Sequence, residues 1–323
     1  MTNKRVVITD HEFPNLADEE RIDAENGATL EVHSDVLQED EVIAATKGAD
    51  VVILAYAQIT RKVLESLAPG ATVIRYGMGY ETIDMQAATE LGVRVCNVPD
   101  YGADTVADHT VMLALAAVRK VLTYHSNIVR ANDGWIAAPE VGRIPAVSDL
   151  TYATVGTGQI GLKVAKRMQA FGATTIAYDP FVDKDLLSKE NVEVVELDEL
   201  LSRADVVSIH APLTDSTYHI IGDAEIGKLS NEAIIVNTAR GALLDTEAAA
   251  RAVSEGRLGG LALDVMESEP LEEGHPLRTA PNTILTPHAA YYSERSLANL
   301  QLFAAEEMGR ALSEQPLRCQ LNR

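Results

Sequence analysis

Cysteine is scarce in this chain, with only Cys96 and Cys319 among 323 residues. Two cysteines can form neither a metal-binding cysteine cluster nor the disulfide framework of a small secreted domain, so both classes are excluded. We expect no metal site. We expect a reduced, cytoplasmic setting. Internal repeats and low-complexity segments are also absent from the sequence.

Long apolar runs are absent as well, and positively charged residues are outnumbered by negatively charged ones. The longest apolar run, VMLALAAV at 111–118, is far shorter than the roughly 20 residues that span a bilayer. The opening MTNKRVVITD has no apolar signal-peptide core, so neither leader nor membrane span is expected. Lys and Arg number 27 against 48 Asp and Glu, a net charge of -21. This excess argues against nucleic-acid or anionic-membrane partners, and an anionic substrate would need a local island of positive charge.

Short β-branched runs alternate with helical patterns along most of the chain. In the first third, VVIT (6–9), DVVILAY (50–56) and ATVIRYG (71–77) are typical of strands, and a second series begins near Thr151. This alternation predicts parallel sheets with crossover helices, and the length is sufficient for two domains. The predicted fold class is α/β, with two Rossmann- or flavodoxin-like parallel-sheet domains.

Three further segments have distinct patterns. One long helix is predicted from about Thr105 to Asn127. The stretch at 132–149 is rich in Gly, Pro and Ala, which predicts a connecting excursion. The tail at 293–312 has an apolar stripe and predicts an amphipathic helix.

The segment GTGQIG has the G-x-G-x-x-G spacing between a strand pattern and a helical one, and the next strand pattern ends at Asp179. Strand, glycine turn, helix, strand and acid are the parts of the dinucleotide fingerprint. The helix start would face the phosphates, while Asp179 would accept hydrogen bonds from the ribose and favour NAD over NADP. The alternative is a structural glycine turn before a buried helix. The predicted cofactor contacts here are Gly156, Gly158, Gln159, Ile160, Gly161 and Asp179.

Three ionisable residues follow later strand patterns: Arg240 after AIIVNTA, Glu269 in LALDVMESEP and His288 in TILTPHAAYYSE. Each alone is compatible with an ordinary surface or core residue. Together they fit the interconversion of a secondary alcohol and a ketone. His288 would be the acid/base, Glu269 would orient it and stabilise its charged form, and Arg240 would bind a carboxylate and polarise the adjacent carbonyl. The cofactor carries the hydride.

The segments VGTGQIG, IVNTARGALLD, ALDVMESEPL and ILTPHAAYYSE resemble the signature segments of the D-isomer-specific 2-hydroxyacid dehydrogenases. The segments DVMESEP and PHAAYYSE most resemble the C-terminal-binding-protein branch of that family. The resemblance implies NAD as cofactor and Arg240, Glu269 and His288 as the catalytic trio. It also implies further cofactor contacts from Thr105, His210, Ala211, Pro212, Thr238, Ala239, Asp264 and Ala290.

The segment IRYGMGYETID (74–84) resembles the family's substrate loop, where backbone N–H groups help to bind the substrate carboxylate. The alternative for this stretch is an ordinary strand-to-helix turn. Tyr291 stands where the C-terminal-binding-protein branch usually has tryptophan, so the pocket edge is expected to differ. The substrate contacts that the resemblance implies are Tyr56, Arg75, Gly77, Met78, Gly79 and Tyr291.

The family architecture implies a discontinuous substrate-binding domain, 1–99 plus 293–323, and a Rossmann domain for NAD at 100–292. The active site is then expected in the cleft between the two domains. The resemblance also implies a homodimer formed through the dinucleotide domain. The expected partner is a small 2-hydroxy or 2-oxo acid.

Two alternatives to a D-2-hydroxyacid dehydrogenase remain open. The first is an NADH-sensing co-repressor or scaffold of the C-terminal-binding-protein type, since such proteins can keep the catalytic trio. The second is a dehydrogenase of the same fold that oxidises another substrate, such as phosphite. Which 2-hydroxy acid is used is not predicted.

Overall fold

The computed structural model describes residues 4–130 and 141–322. The chain divides into two compact units, Met1–Gly102 with Ser293–Arg323, and Ala103–Tyr292. Each unit is built on one sheet whose strands are all parallel, so the predicted α/β class with two parallel-sheet domains is confirmed. Of the connecting excursion predicted at 132–149, residues 132–140 lie outside the described residues.

The first unit contains a sheet in the order β2-β1-β3-β4-β5. Its strands and helices in chain order are β1 (Arg5–Ile8), α1 (Ala17–Asn26), β2 (Thr29–Val32), α2 (Glu39–Thr46), β3 (Val51–Leu54), α3 (Arg61–Ser66), β4 (Thr72–Arg75), α4 (Met85–Glu90), β5 (Arg94–Cys96) and the last helix of the chain, α12 (Glu294–Leu312).

Both faces of this sheet are buried. Because side chains alternate along a strand, Val6 and Ile8 of β1 face one core, which includes Leu300 and Met308 of α12. Val7 faces the opposite core. A parallel strand covered on both sides needs apolar residues at successive positions, which is why β1 and β3 each contain three consecutive β-branched residues.

The second unit contains a sheet in the order β12-β11-β10-β9-β6-β7-β8. Its strands and helices in chain order are α5 (Ala103–Val118), α6 (Val121–Arg130), β6 (Thr151–Val155), α7 (Gln159–Ala170), β7 (Thr174–Tyr178), α8 (Lys184–Lys189), β8 (Glu193–Val194), α9 (Leu197–Arg203), β9 (Val206–Ile209), α10 (Asp223–Ile226), β10 (Ile234–Asn237), α11 (Thr246–Ser254), β11 (Gly260–Leu263) and β12 (Thr283–Leu285).

Helices cover this second sheet on both faces. One core joins Leu113 of α5 and Met168 of α7 to the strand residues Tyr152 and Val236. The opposite core includes residues of α9 and α11. The strands β6, β9, β10 and β11 end at the same edge of the sheet because they are parallel, and the predicted site segments follow these ends.

The helix predicted from about Thr105 to Asn127 is two helices. Helix α5 ends at Val118, and Lys120 has a φ of +52°, after which α6 starts at Val121. The prediction was wrong because this break depends on one left-handed lysine, with no glycine or proline to mark it. The tail helix is confirmed as α12, with Ser293 as its N-cap. Across the described residues, no helix combines the length and apolar character needed to cross a bilayer.

Candidate active site

The turn between β6 and α7 brings the backbone close to the adjacent strand β9. Gly156 has a φ of +94°, and a Cβ on it would lie 2.8 Å from the backbone nitrogen of Ala211. A Cβ on Gly161 would lie 2.2 Å from the carbonyl oxygen of Gly156. Among the described residues, a Cβ on Gly158 would meet no atom within 4 Å. The protein's own packing therefore requires Gly156 and Gly161, whereas Gly158 borders open space.

Helix α7 begins beside this open space. Gly158 is its N-cap and provides no side chain to cap the helix. The first N–H groups of a helix have no acceptor within it, so those of Gln159 and Ile160 point out of the helix start. Strand β6 lies between β9 and β7, which is the topological switch point of the sheet. The exposed backbone at this point fits the pyrophosphate of a dinucleotide.

Asp179 follows β7 and is bound by the glycine turn. Its Oδ2 accepts hydrogen bonds from the N–H (2.8 Å) and the hydroxyl (2.7 Å) of Thr157, and its Oδ1 accepts one from the N–H of Phe181 (3.0 Å). Burial opposes ionisation, but these hydrogen bonds outweigh it and hold the pKa of Asp179 below its usual range. A negative charge is therefore fixed at the strand end where ribose hydroxyls are expected.

Other predicted cofactor contacts follow β9 and β10. His210 comes directly after β9, and its Nε2 lies 2.7 Å from Oγ of Ser208. Desolvation of its imidazole lowers the pKa of His210 to about 3, so the ring is neutral. Thr238 is buried, with its Oγ1 2.7 Å from that of Thr110 on α5. The predicted residues at these two strand ends are His210, Ala211, Pro212, Thr238 and Ala239.

His288 and Glu269 form a close pair. His288 Nδ1 lies 2.7 Å from Glu269 Oε2, and Glu269 Oε1 accepts a hydrogen bond from the N–H of Met266 (2.9 Å). Burial opposes ionisation of Glu269, but the bonds from His288 and Met266 and the charge of Arg240 outweigh it, so the pKa of Glu269 is lowered. The carboxylate faces Nδ1, which leaves Nε2 as the ring nitrogen for proton exchange with a ligand.

Arg240 follows β10, and hydrogen bonds to neighbouring residues hold both its backbone and its side chain. Its carbonyl oxygen accepts a hydrogen bond from Nδ2 of Asn237 (2.8 Å), and its Nη1 donates to the carbonyl oxygen of Ala239 (2.7 Å). Arg240 is half-buried, and its positive charge helps to lower the pKa of Glu269. The structure therefore brings Arg240, Glu269 and His288 together on one edge of the second sheet.

Asp264 organises the segment around His288. Its carboxylate accepts hydrogen bonds from the N–H groups of Ala289 (2.9 Å) and Ala290 (2.8 Å) and from the hydroxyl of Thr286. Its carbonyl oxygen accepts one from the N–H of His288 (2.7 Å), which has a φ of +54°. Asp264 was predicted only as a cofactor contact, and both of its carboxylate oxygens are engaged by the protein itself.

His109 on α5 extends this network and was missed in the sequence. Its Nε2 lies 3.1 Å from Oγ1 of Thr286 and 3.6 Å from Oδ1 of Asp264. The only signal was a histidine two residues before the apolar run at 111–118 of this helix. Thr105, a predicted cofactor contact, is half-buried in the first turn of the same helix. Within residues 4–130 and 141–322, no cluster of three or more His, Cys, Asp or Glu side chains is arranged to hold a metal ion.

The predicted substrate contacts of the first unit lie at the end of β4 or in the segments that follow β3 and β4. Gly77 has a φ of +126°, and a Cβ on it would lie 1.6 Å from Nη1 of Arg75, so the guanidinium lies directly against this glycine. The carbonyl oxygen of Met78 accepts a hydrogen bond from Nδ2 of Asn97 (2.6 Å). Gly79 is buried, Tyr56 is 49% exposed, and Tyr291, in the second unit, is half-buried and packs edge-on against Tyr292. The Arg75 guanidinium and the Gly77 backbone are thus in direct contact within this loop.

Comparison with known proteins gives consistent results. Residues 111–290 match the family described as D-isomer specific 2-hydroxyacid dehydrogenase, NAD binding domain. A D-3-phosphoglycerate dehydrogenase of Methanocaldococcus jannaschii is 36% identical over 280 residues, which are 85% of this chain and 52% of that protein. The chain spans about half the length of the curated relatives it matches.

Solved structures resemble the chain over nearly its whole length. A glyoxylate reductase from Paecilomyes thermophila has a TM-score of 0.89 and 26% identity, covering 99% of both chains. A D-lactate dehydrogenase from Aquifex aeolicus, complexed with NAD and lactic acid, has a TM-score of 0.83 and 26% identity, covering 96% of both chains.

Proposed function

This chain belongs to the D-isomer specific 2-hydroxyacid dehydrogenase family, and we propose that it interconverts a D-2-hydroxy acid and its 2-oxo acid with NAD as the hydride carrier. One observation carries the proposal. Nδ1 of His288 lies 2.7 Å from Oε2 of Glu269, and the positive charge of Arg240 lowers the pKa of the same carboxylate. An acid/base and a cation that matches a carboxylate are the two groups this reaction requires of the protein.

NAD supplies the hydride chemistry when it is bound. We propose that Gly158 and the N–H groups of Gln159 and Ile160 hold its pyrophosphate, because the space beside Gly158 is open and these donors point into it. Asp179 would accept hydrogen bonds from the adenosine ribose and disfavour a 2′-phosphate. The remaining cofactor contacts are proposed from Thr105, His210, Ala211, Pro212, Thr238, Ala239, Asp264 and Ala290.

The protein's own groups then act on the substrate. The planar fork of Arg240 binds the carboxylate and polarises the neighbouring carbonyl oxygen. During reduction His288 donates a proton from Nε2 to that oxygen, and during oxidation it accepts the hydroxyl proton there. The ionised Glu269 holds the imidazole by Nδ1 and stabilises its charged form. We propose that the substrate's other contacts are Tyr56, Arg75, Gly77, Met78, Gly79 and Tyr291.

The proposal is tested by following NADH oxidation with a panel of 2-oxo acids. The panel includes glyoxylate and pyruvate, the oxo acids matching the substrates named for the structural relatives, and phosphohydroxypyruvate for the curated relatives. We expect turnover with at least one member, and a higher kcat/KM with NADH than with NADPH. NADH binding without turnover across the panel would overturn the proposal and favour a cofactor-sensing scaffold. Oxidation of phosphite as the sole activity would also overturn it.

We further propose that the chain forms a homodimer through the second unit. Three exposed apolar side chains line one groove on α5, α6 and the end of α7: Met112, Val121 and Phe171, which are 47%, 48% and 52% exposed. A contiguous apolar patch of this kind is typical of an interface. Light scattering of the wild type should give twice the mass of the 323-residue chain. The double variant Met112→Asp, Phe171→Asp should give the mass of one chain. A monomeric wild type would overturn this proposal.

A further inference from the structure

The first unit has its own topological switch point. In the sheet order β2-β1-β3-β4-β5, the connections that leave β1 and β3 run in opposite directions, so the switch point lies between these two strands. In parallel sheets, ligands bind outside the strand ends at such a point. Here the side chain of Asp10, which follows β1, fills this position and is 2% exposed. We propose that Asp10 is a positioning residue: its carboxylate fills an anion-binding site of the backbone and fixes the segment that carries Tyr56. The proposal rests on the function proposed above.

The backbone after β3 converges on this carboxylate. Asp10 Oδ2 accepts hydrogen bonds from the N–H groups of Ala55 (3.2 Å) and Tyr56, and Oδ1 accepts one from Ala57 (3.4 Å). The hydroxyl of Thr9 also donates to Oδ1 (2.8 Å). Successive N–H groups that point at one centre form an anion-binding nest, and all four donors here are neutral. The carboxylate therefore acts as an internal anion that closes the nest.

The hydrogen bonds to Asp10 determine the direction in which the side chain of Tyr56 points. Ala55 and Ala57 are 9% and 0% exposed, whereas Tyr56 between them is 49% exposed. The N–H of Tyr56 points into the nest, so its side chain is directed outward. A peptide rotation at this residue would lose a hydrogen bond to a buried carboxylate and redirect the tyrosine.

The same segment also supports the substrate loop. The N–H of Ile59 donates to the carbonyl oxygen of Thr82 (2.8 Å), and the N–H of Asp84 donates to the carbonyl oxygen of Ile59 (2.9 Å). These bonds connect the nest to the end of the segment 77–84, which contains Gly77 and Met78. A shift of the nest therefore changes both the position of Tyr56 and the support of the proposed carboxylate-binding loop.

Removing the carboxylate while keeping the backbone tests this role. In Asp10→Ala three N–H groups would converge on a cavity of carboxylate size, which formate fits with both oxygens. We expect Asp10→Ala to lower kcat/KM for the best 2-oxo acid by about 10–100-fold, mainly through KM, with the Kd for NADH unchanged. Formate at millimolar concentration should restore a large part of this loss saturably, and chloride at equal ionic strength should not. A loss of kcat/KM without formate rescue would overturn the proposal.

Asp50→Ala is the matched control. Asp50 lies at the other end of the same strands, where its Oδ2 accepts a hydrogen bond from the N–H of Arg5 (2.8 Å). We expect this variant to lose stability without a formate-dependent KM. Asp10→Asn, which keeps one acceptor and adds an N–H donor, should have an intermediate KM that formate does not improve. Equal formate responses in Asp10→Ala and Asp50→Ala would overturn the proposal.

A thermal assay separates failure of this inference from failure of the proposed function. Formate should raise the Tm of Asp10→Ala by several degrees and leave that of the wild type unchanged, whether or not any 2-oxo acid is reduced. Selective stabilisation of Asp10→Ala by formate, together with a wild type that reduces no 2-oxo acid, would support the nest and reject the dehydrogenase. Turnover by the wild type, with no effect of formate on either Tm or KM of Asp10→Ala, would reject the nest and leave the dehydrogenase intact.

Discussion

Replacing Gly161 by alanine tests why the glycine turn has its spacing. A Cβ at this position would lie 2.2 Å from the carbonyl oxygen of Gly156 and 3.1 Å from its carbonyl carbon, whereas ordinary contact begins at 3.4 Å. Both obstacles are backbone atoms, so the start of α7 has to move by roughly 1 Å. Overpacking of this kind costs about 1–3 kcal/mol. In a unit of this size, each kcal/mol lowers Tm by about 2–4 °C.

Gly158→Ala is the matched variant, because a Cβ there meets no atom of the described part of the chain within 4 Å. Its φ of -60° is ordinary for alanine, and the poorer N-cap costs less than about 1 kcal/mol. The added methyl group would nevertheless stand where we propose that the pyrophosphate approaches the backbone. We therefore expect a small change in Tm and at least about a 10-fold weaker affinity for NADH.

Two measurements separate these variants. Thermal unfolding without cofactor should rank the wild type first, Gly158→Ala just below it and Gly161→Ala clearly lower. Titration of NADH, followed by its fluorescence, should give weaker binding for both variants. Wild-type Tm in Gly161→Ala, or wild-type NADH affinity in Gly158→Ala, would refute the reasoning.

Three further predictions concern charged groups. Glu269→Gln should move the alkaline limb of the pH profile for reduction to lower pH, because the imidazolium of His288 loses its charged partner; an unchanged kcat/KM profile would count against the pairing. Arg240→Lys should raise KM for the 2-oxo acid by roughly 10-fold or more, since an ammonium group cannot match a carboxylate with a planar fork; steady-state kinetics with an unaltered KM would contradict this. Asp179→Asn should narrow the preference for NADH over NADPH, measured as a ratio of kcat/KM. Because the pKa of Asp179 is lowered on folding, its stabilising effect is present above its unfolded pKa of about 4 and is lost as pH falls through the folded value. The Tm difference between wild type and this variant should therefore disappear at acid pH. A Tm difference that persists there would argue against this role of the Asp179 carboxylate.

Local patterns were sufficient to predict the architecture. Runs of three consecutive β-branched residues, as in β3 and β10, predict strands buried on both faces, and their alternation with helices predicts parallel sheets. Each predicted site segment of the second unit contains or follows the end of a strand. Since parallel strands end at one edge, Arg240, Glu269 and His288 lie together at the edge that the pattern indicated. Their roles in a reaction stay a prediction.

Contacts between distant segments could not be predicted in the same way. Asp10 and Ala55 are 45 positions apart, and His109 and Thr286 are 177 positions apart. Nothing in the neighbouring sequence of either residue indicates its partner. The break at Lys120 is a further case, because a left-handed lysine has no sequence signature. Sequence patterns thus predict which strand ends meet, whereas the hydrogen bonds that orient these ends depend on tertiary packing.

The role of His288 in proton transfer is the central claim, and the turnover of His288→Ala tests it most directly. The Kd for NADH should be measured on the same sample, since we propose that His288 acts on the substrate and not on the cofactor. We predict that kcat for the best 2-oxo acid falls by about 10²–10⁴-fold while the Kd for NADH stays within about two-fold of the wild type. Near-normal turnover in this variant would contradict the account.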